Sequence, residues 1–160
     1  MKQLSEIIED IKNIISNDVV YDKDVAEALG LAQRNLANRK KRNNMPYEEI
    51  IDFCHNNDVD VDNLLYHSNR KSKIMFPDEQ ILAFDKIMRK IARHVAYDIG
   101  NETKMTDKVI AAALEMPYPT FATDKQRNKV PYKYIIKFCA KRGILMNEIF
   151  CGQSFGLVSS

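Results

Sequence analysis

The side chains best suited to chemistry are polar and basic and lie between positions 33 and 42. A first group carries amide or guanidinium groups, which hydrogen-bond to the edges of nucleic-acid bases. This group consists of Gln33, Arg34, Asn35 and Asn38. A second group contains four consecutive cations, which bind phosphate oxygens. It consists of Arg39, Lys40, Lys41 and Arg42. The same residue types also form the solvated face of an ordinary helix, so the surrounding elements decide between these interpretations.

Those elements are two short helical patterns that meet at a glycine. Val25, Ala26 and Leu29 recur at helical spacing, and Leu36 anchors a second pattern that begins near position 32. Gly30 lies between them and can adopt the positive φ that a tight turn requires. The spacing predicts a helix-turn-helix whose second helix exposes the polar and basic groups.

Positive charge is concentrated in one stretch of the chain, although the net charge is small. The 160 residues carry a net charge of only +2, but residues 31–45 contain five basic residues and no acid. The flanking stretches 1–30 and 46–66 are both acidic. The positive field therefore falls on the second helix of the predicted pair, which favours a polyanionic partner.

Several function classes lack a signature in the sequence. Three cysteines without zinc-type spacing argue against a disulfide framework or a metal site, and no apolar run is long enough to span a membrane. We find no nucleophile elbow, phosphate-binding glycine loop or paired-carboxylate motif. We therefore expect a cytoplasmic, nucleoid-associated protein that is not an enzyme. It would have no cofactor, no metal, no membrane partner and no small-molecule effector.

Amphipathic helices surround the helix-turn-helix. A helix is predicted over 4–16, with an apolar stripe of Leu4, Ile7, Ile8, Ile11, Ile14 and Ile15. Pro46 suits the first position of another helix, and a short helix should end near residue 66. A second long helix is predicted over 78–98, with Ile81, Leu82, Phe84, Ile87, Met88, Ile91, Val95 and Ile99 on its apolar side.

The chain contains an internal duplication. Residues 22–66 align without a gap to residues 107–151, at a shift of 85, with 15 identical positions. Ordinary amino-acid usage would give about three. Two copies of one all-α fold follow, each with about five helices. The predicted boundaries are a first domain at 1–67, a linker at 68–77, a second domain at 78–152 and a tail at 153–160.

Both copies resemble the helix-turn-helix domain of phage CI-type repressors, in the lambda-repressor-like class. In the first copy the resemblance lies in VAEALGLAQRNLANRKKRN, MPYEEIIDFC and VDVDNLLY. In the second it lies in VIAAALEMPYPTFATDKQRN, VPYKYIIKFC and ILMNEIFCG. The resemblance implies a bacterial or phage repressor whose second helix enters the major groove. Gln33 and Arg34 match the base-contacting start of that helix.

The second copy departs from this pattern. Glu115 replaces the turn glycine, Pro117 and Pro119 flank the start of the second helix, and Asp124 adds an acid. The pattern therefore favours DNA binding by the first copy. Weaker DNA contacts are predicted for the second copy at Tyr118, Thr120, Thr123, Lys125, Gln126 and Arg127.

Two functions follow as hypotheses. In the first, the chain is a sequence-specific transcriptional regulator of double-stranded DNA, most simply a repressor. Its two modules would act as a pseudo-dimer on unlike half-sites about 34 Å apart. In the second, the surface Pro117–Phe121 lets the second copy bind a protein such as RNA polymerase, a phage or toxin protein, or another copy in a homodimer. Phosphate contacts would make DNA affinity fall steeply with salt, which distinguishes the two.

Overall fold

The computed structural model describes residues 1–16, 18–67, 82–99 and 104–151. Every regular element in those ranges is an α-helix, so the predicted all-α class is confirmed. One compact unit contains α1 (Leu4–Ile15), α2 (Asp22–Ala28), α3 (Gln33–Arg42), α4 (Tyr47–Asn56) and α5 (Val61–Leu65). A second contains α6 (Phe84–Ile99), α7 (Asp107–Ala113), α8 (Tyr118–Gln126), α9 (Tyr132–Arg142) and α10 (Met146–Cys151). The predicted linker 68–77 and tail 153–160 lie outside the described residues.

The two units repeat the same helix order in register. Each helix from α7 to α10 begins 85 residues after its counterpart from α2 to α5. The structure extends this repeat to the first helices, because α6 begins 80 residues after α1. Their buried positions match at that shift, with Leu4, Ile7, Ile8 and Ile11 opposite Phe84, Ile87, Met88 and Ile91. The sequence comparison missed this part because five extra residues precede α7.

The third helix of each unit contributes one buried residue to the core. Leu36 is fully enclosed in the first unit and Phe121 in the second. The Phe121 ring meets Phe84 of α6 edge-on, with 5.7 Å between the ring centroids. Cys54 and Cys139 are buried at equivalent positions of the two units. Apolar burial of this kind is the main force that holds such small helical units together.

Three apolar residues and two helix starts differ from the sequence predictions. Ile14, Ile15 and Ile99, at the ends of α1 and α6, are 41%, 39% and 46% exposed, although the sequence predicts them on the apolar stripes. Pro46 precedes α4 instead of occupying its first position. The second long helix begins at Phe84, and positions 78–81 lie outside the described residues. None of the described helices combines the length and apolar character that a bilayer crossing requires.

The turn between the second and third helices uses a left-handed residue in both units. Gly30 has a φ of 68°, as the sequence predicts, and Glu115 has a φ of 53° at the equivalent position. In each turn the next residue donates its N–H to the carbonyl four positions before the left-handed residue: Leu31 to Ala26 and Met116 to Ala111. This closure satisfies carbonyls that the end of the helix would leave unpaired.

Substitutions at Gly30 and Glu115 should change the stability of their units in opposite directions. Gly30→Ala is expected to destabilise the first unit by roughly 1 kcal/mol, because a Cβ is unfavourable at positive φ. Nothing lies within 4 Å of that Cβ, so the cost is conformational. Glu115→Gly should stabilise the second unit by less than about 1 kcal/mol. Thermal unfolding followed by circular dichroism measures both.

Glu115→Ala is the control for the ion pair that Glu115 makes with Lys141, at 2.7 Å. It removes that pair and keeps the strained backbone. If the Ala and Gly variants unfold at the same temperature, backbone strain at this turn has no effect on stability.

Candidate nucleic-acid interface

Helix α3 presents one buried residue and an otherwise solvent-facing surface. Leu36 packs inward, which fixes the rotation of the helix. The four predicted base-reading side chains are all exposed, namely Gln33, Arg34, Asn35 and Asn38. The helix carries five cations and no acid. Its outward face therefore combines hydrogen-bonding groups with a strong positive field.

The N-terminus of α3 adds to that field. Ala32 precedes the helix and provides no side-chain oxygen for the first amide groups. The N–H groups of a helix that lack such a cap, together with its dipole, attract anions. Gln33 and Arg34 lie at this end, so backbone and side-chain donors occur together at the start of α3.

The four cations at the end of α3 have different environments. Arg39 donates from Nε to Oδ1 of Asn35 at 2.8 Å, one turn earlier on the same helix. Lys40 pairs with Asp22 of α2 at 2.9 Å. Lys41 and Arg42 are exposed, and the structure assigns them no ion pair among the described residues. Lys41 and Arg42 are therefore available to an external anion, whereas Lys40 is paired with a carboxylate.

Lys40 belongs to an ion-pair network that joins three helices. The Asp22 carboxylate also binds Lys12 of α1, with 2.7 Å between the nitrogen and oxygen atoms. Hydrogen bonds from Lys12 and then from Lys40 hold the pKa of Asp22 below its ordinary value of 3.8. The same pair raises the pKa of Lys12. The network therefore fixes α3 against α1 and α2, and it positions the exposed end of α3.

This network should make stability depend on pH on the acid side. The pKa of Asp22 is lower in the folded state, so its contribution is present above pH 3.8 and is lost as pH falls through the folded value. In Asp22→Asn the free energy of unfolding should fall less on acidification than in the wild type. The difference should be less than about 1 kcal/mol, because the partners are partly exposed. Urea unfolding between pH 2 and 7 measures it.

Lys40→Gln is the partner variant for a double-mutant cycle. The double variant should lose less stability than the two single variants together. A parallel acid response of the wild type and Asp22→Asn would contradict a stabilising role for the network.

Next to the start of α3 lies a groove that sequence reasoning did not identify. Its volume is about 470 Å³, and its lining includes Gln33, Asp22, Lys12, Tyr21 and Lys23. Tyr21 is 60% exposed, and the Lys23 ammonium lies 5.8 Å from the centre of its ring. The groove adds two cations and a phenol beside a predicted base-reading residue. The sequence signal for this groove was the lysine that both copies have at the equivalent position, Lys23 and Lys108.

The equivalent helix α8 of the second unit has a different surface. Tyr118, Thr120, Gln126 and Arg127 are exposed. Thr123 is also exposed, but its hydroxyl donates to the carbonyl of Pro119 at 2.9 Å. Lys125 pairs with Asp107 at 2.7 Å, which repeats the Lys40–Asp22 pair. With Asp124 as well, α8 carries as many acids as cations.

We find no metal-binding cluster among the described residues. They contain no group of three or more His, Cys, Asp or Glu side chains placed to hold a metal ion.

No protein-family model, curated protein or solved structure matches this chain. Of the two third helices, α3 has a surface with excess positive charge, and such a surface favours a polyanionic ligand.

Proposed function

We propose that this chain is a sequence-specific, DNA-binding transcriptional regulator that acts as a repressor. Its two units would be tandem helix-turn-helix domains of the lambda-repressor-like class. One observation carries the proposal: α3 exposes Gln33 and Arg34 at an uncapped N-terminus on a helix with five cations and no acid. That arrangement places base-reading groups and phosphate-binding groups on one helical surface.

The dimensions of α3 suit the major groove of duplex DNA. An α-helix with its side chains is about 10–12 Å across, and the major groove is about 12 Å wide. With its N-terminus in the groove, Gln33 and Arg34 would reach base edges. Lys41 and Arg42, about two turns further on, would lie near the phosphate backbone. Lys23 of the neighbouring groove would hold a second stretch of that backbone.

The Lys12–Asp22–Lys40 network supports this orientation. A base-reading side chain needs a fixed helix, since a small misplacement loses bidentate hydrogen bonds. Asp22 ties α3 to α1 and α2 through contacts of 2.7 and 2.9 Å. Lys40 therefore contributes to binding by positioning α3. Repression would follow when the bound protein covers a promoter.

Selection of bound sequences from a random duplex pool tests the proposal. A defined consensus should emerge with the full chain, and its affinity should fall steeply as salt rises, because phosphate contacts release counterions. The Gln33→Ala/Arg34→Ala variant should lose the consensus and keep weak, salt-sensitive binding. A pool that stays random with the wild type would refute sequence-specific recognition.

A second candidate function concerns the second unit alone. Tyr118 is 42% exposed beside the exposed Pro119, on a helix without net charge, and this favours a protein contact there. The predicted apolar surface is smaller than expected, because Phe121 is fully buried in the core. Light scattering of the full chain with and without Tyr118→Ser tests whether this surface pairs two chains. A monomer in both cases would exclude homodimerisation through it.

A further inference from the structure

A cationic surface of the second unit lies on α6, away from its α8 helix. Lys86, Arg89, Lys90 and Arg93 lie at positions i, i+3, i+4 and i+7, so they share one face of the helix. The buried residues of α6 occupy the opposite face, with Ile87 and Ile91 completely enclosed. The cations therefore form a solvent-facing row, which we call the α6 basic row.

The α6 basic row is chemically available. Among the described residues, none of its four cations forms an ion pair. Tyr97 continues the row one turn beyond Arg93 and is 90% exposed. A groove of about 270 Å³ runs beside it, with Lys90, Arg93, His94, Tyr97 and Glu148 in its lining. Glu148 is the acid in this groove, and it lies 3.5 Å from His94.

Comparison with the first unit shows that the fold does not require this charge. At a shift of 80, the positions of Lys86, Arg89 and Lys90 are occupied by Glu6, Glu9 and Asp10 on α1. The buried positions of the two helices are apolar in both units. Three of the four positions of this solvent-facing row therefore carry opposite charge in the two units, and Asn13 is the counterpart of Arg93. The first unit has five cations on α3, and the second has four on the outer face of α6.

From this we infer that the second unit binds the phosphate backbone of duplex DNA through the α6 basic row, without reading sequence. The inference rests on the proposed function only in taking duplex DNA as the ligand, and it uses different residues. Lys86 and Arg93 are about 10 Å apart along the helix axis at 1.5 Å per residue. Phosphates follow one another every 3.4 Å of duplex axis on each strand, so the row spans about three of them.

Tyr97 extends the same contact. Tyrosine hydroxyls donate to phosphate oxygens, and a fully exposed phenol next to a row of cations suits that role. With α8 electrically neutral, the second unit would anchor the chain on DNA while α3 selects the sequence. Two linked contacts of this kind raise the affinity of the whole chain through effective concentration.

The test compares two charge-matched double variants of the full chain. Arg89→Gln/Arg93→Gln removes two cations from the α6 basic row, and Lys133→Gln/Lys137→Gln removes two exposed cations from α9. Binding of a random-sequence duplex is measured by fluorescence anisotropy across a salt series. The α6 variant should lose about tenfold in affinity at low salt, and its salt slope should fall by about 2. The α9 variant should change neither quantity appreciably.

The outcomes separate this inference from the proposed function. If the α6 variant binds random duplex like the wild type while Arg34→Ala loses sequence preference, this inference is wrong and the proposed function stands. If the α6 variant loses binding and Arg34→Ala keeps its sequence preference, this inference stands and the proposed reading of bases by α3 is wrong. Unchanged DNA binding with loss of an oligomer, or of binding to polyglutamate, would assign the row to an acidic protein and overturn the inference. A wild type that binds no duplex refutes both.

Discussion

Replacing Arg34 with alanine is expected to weaken binding to the preferred duplex by about 1–3 kcal/mol, or roughly 5- to 140-fold. The guanidinium is exposed at the start of α3, where a bidentate contact to a guanine would be made. Binding to random duplex should fall much less. The measurement is the affinity for the selected consensus against a scrambled duplex, at one fixed salt concentration.

Lys41→Ala is the matched control on the same helix. Lys41 is exposed near the end of α3 and is expected to bind phosphate, so its loss should weaken consensus and scrambled duplex alike. Its salt slope should fall by about 1. Equal losses of consensus and scrambled binding in Arg34→Ala would mean that Arg34 holds phosphate and that other residues read the bases.

The second large effect is on stability. Phe121→Ala should destabilise the second unit by about 3–5 kcal/mol, because the ring is completely buried and packs edge-on against Phe84. For a unit of this size, that loss lowers the midpoint of thermal unfolding by at least about 12 °C. Calorimetry of the full chain should show an early transition that the wild type lacks.

Leu36→Ala gives the corresponding test in the first unit, with an expected loss of about 2–5 kcal/mol. The two variants also separate the roles of the units. Recognition of the consensus should survive Phe121→Ala at a temperature where only the second unit is unfolded, since α3 belongs to the first unit. Loss of consensus binding under those conditions would show that reading the sequence requires both units.

Most of the local structure could be predicted from the sequence. The apolar periodicity placed α1 and the α2–turn–α3 segment, and the positive φ of Gly30 followed from its place between two helical patterns. The repeat at a shift of 85 predicted four of the helix pairs in register. These features depend on neighbours in the chain, and short-range spacing is visible in a linear sequence.

The sequence was less informative where a residue's environment comes from a distant helix. Lys40 and Lys41 are adjacent and chemically identical, but only Lys40 meets Asp22, which lies 18 residues earlier. Ile14 and Ile15 continue an apolar stripe and are nevertheless 41% and 39% exposed, because helical periodicity does not show how far a neighbouring helix extends. The equivalence of α1 and α6 was hidden by a change of shift from 80 to 85 between successive helices.

The sequence by itself determined that this protein is helical, that it is duplicated, and that one predicted helix, at residues 33–42, carries five cations and no acid. Those properties follow from composition and from spacing along the chain. Tertiary structure decided which cations remain available to a ligand, since ion pairs form between helices that are distant in sequence. It also placed the α6 basic row opposite a buried face, because the direction of a side chain depends on what its helix packs against.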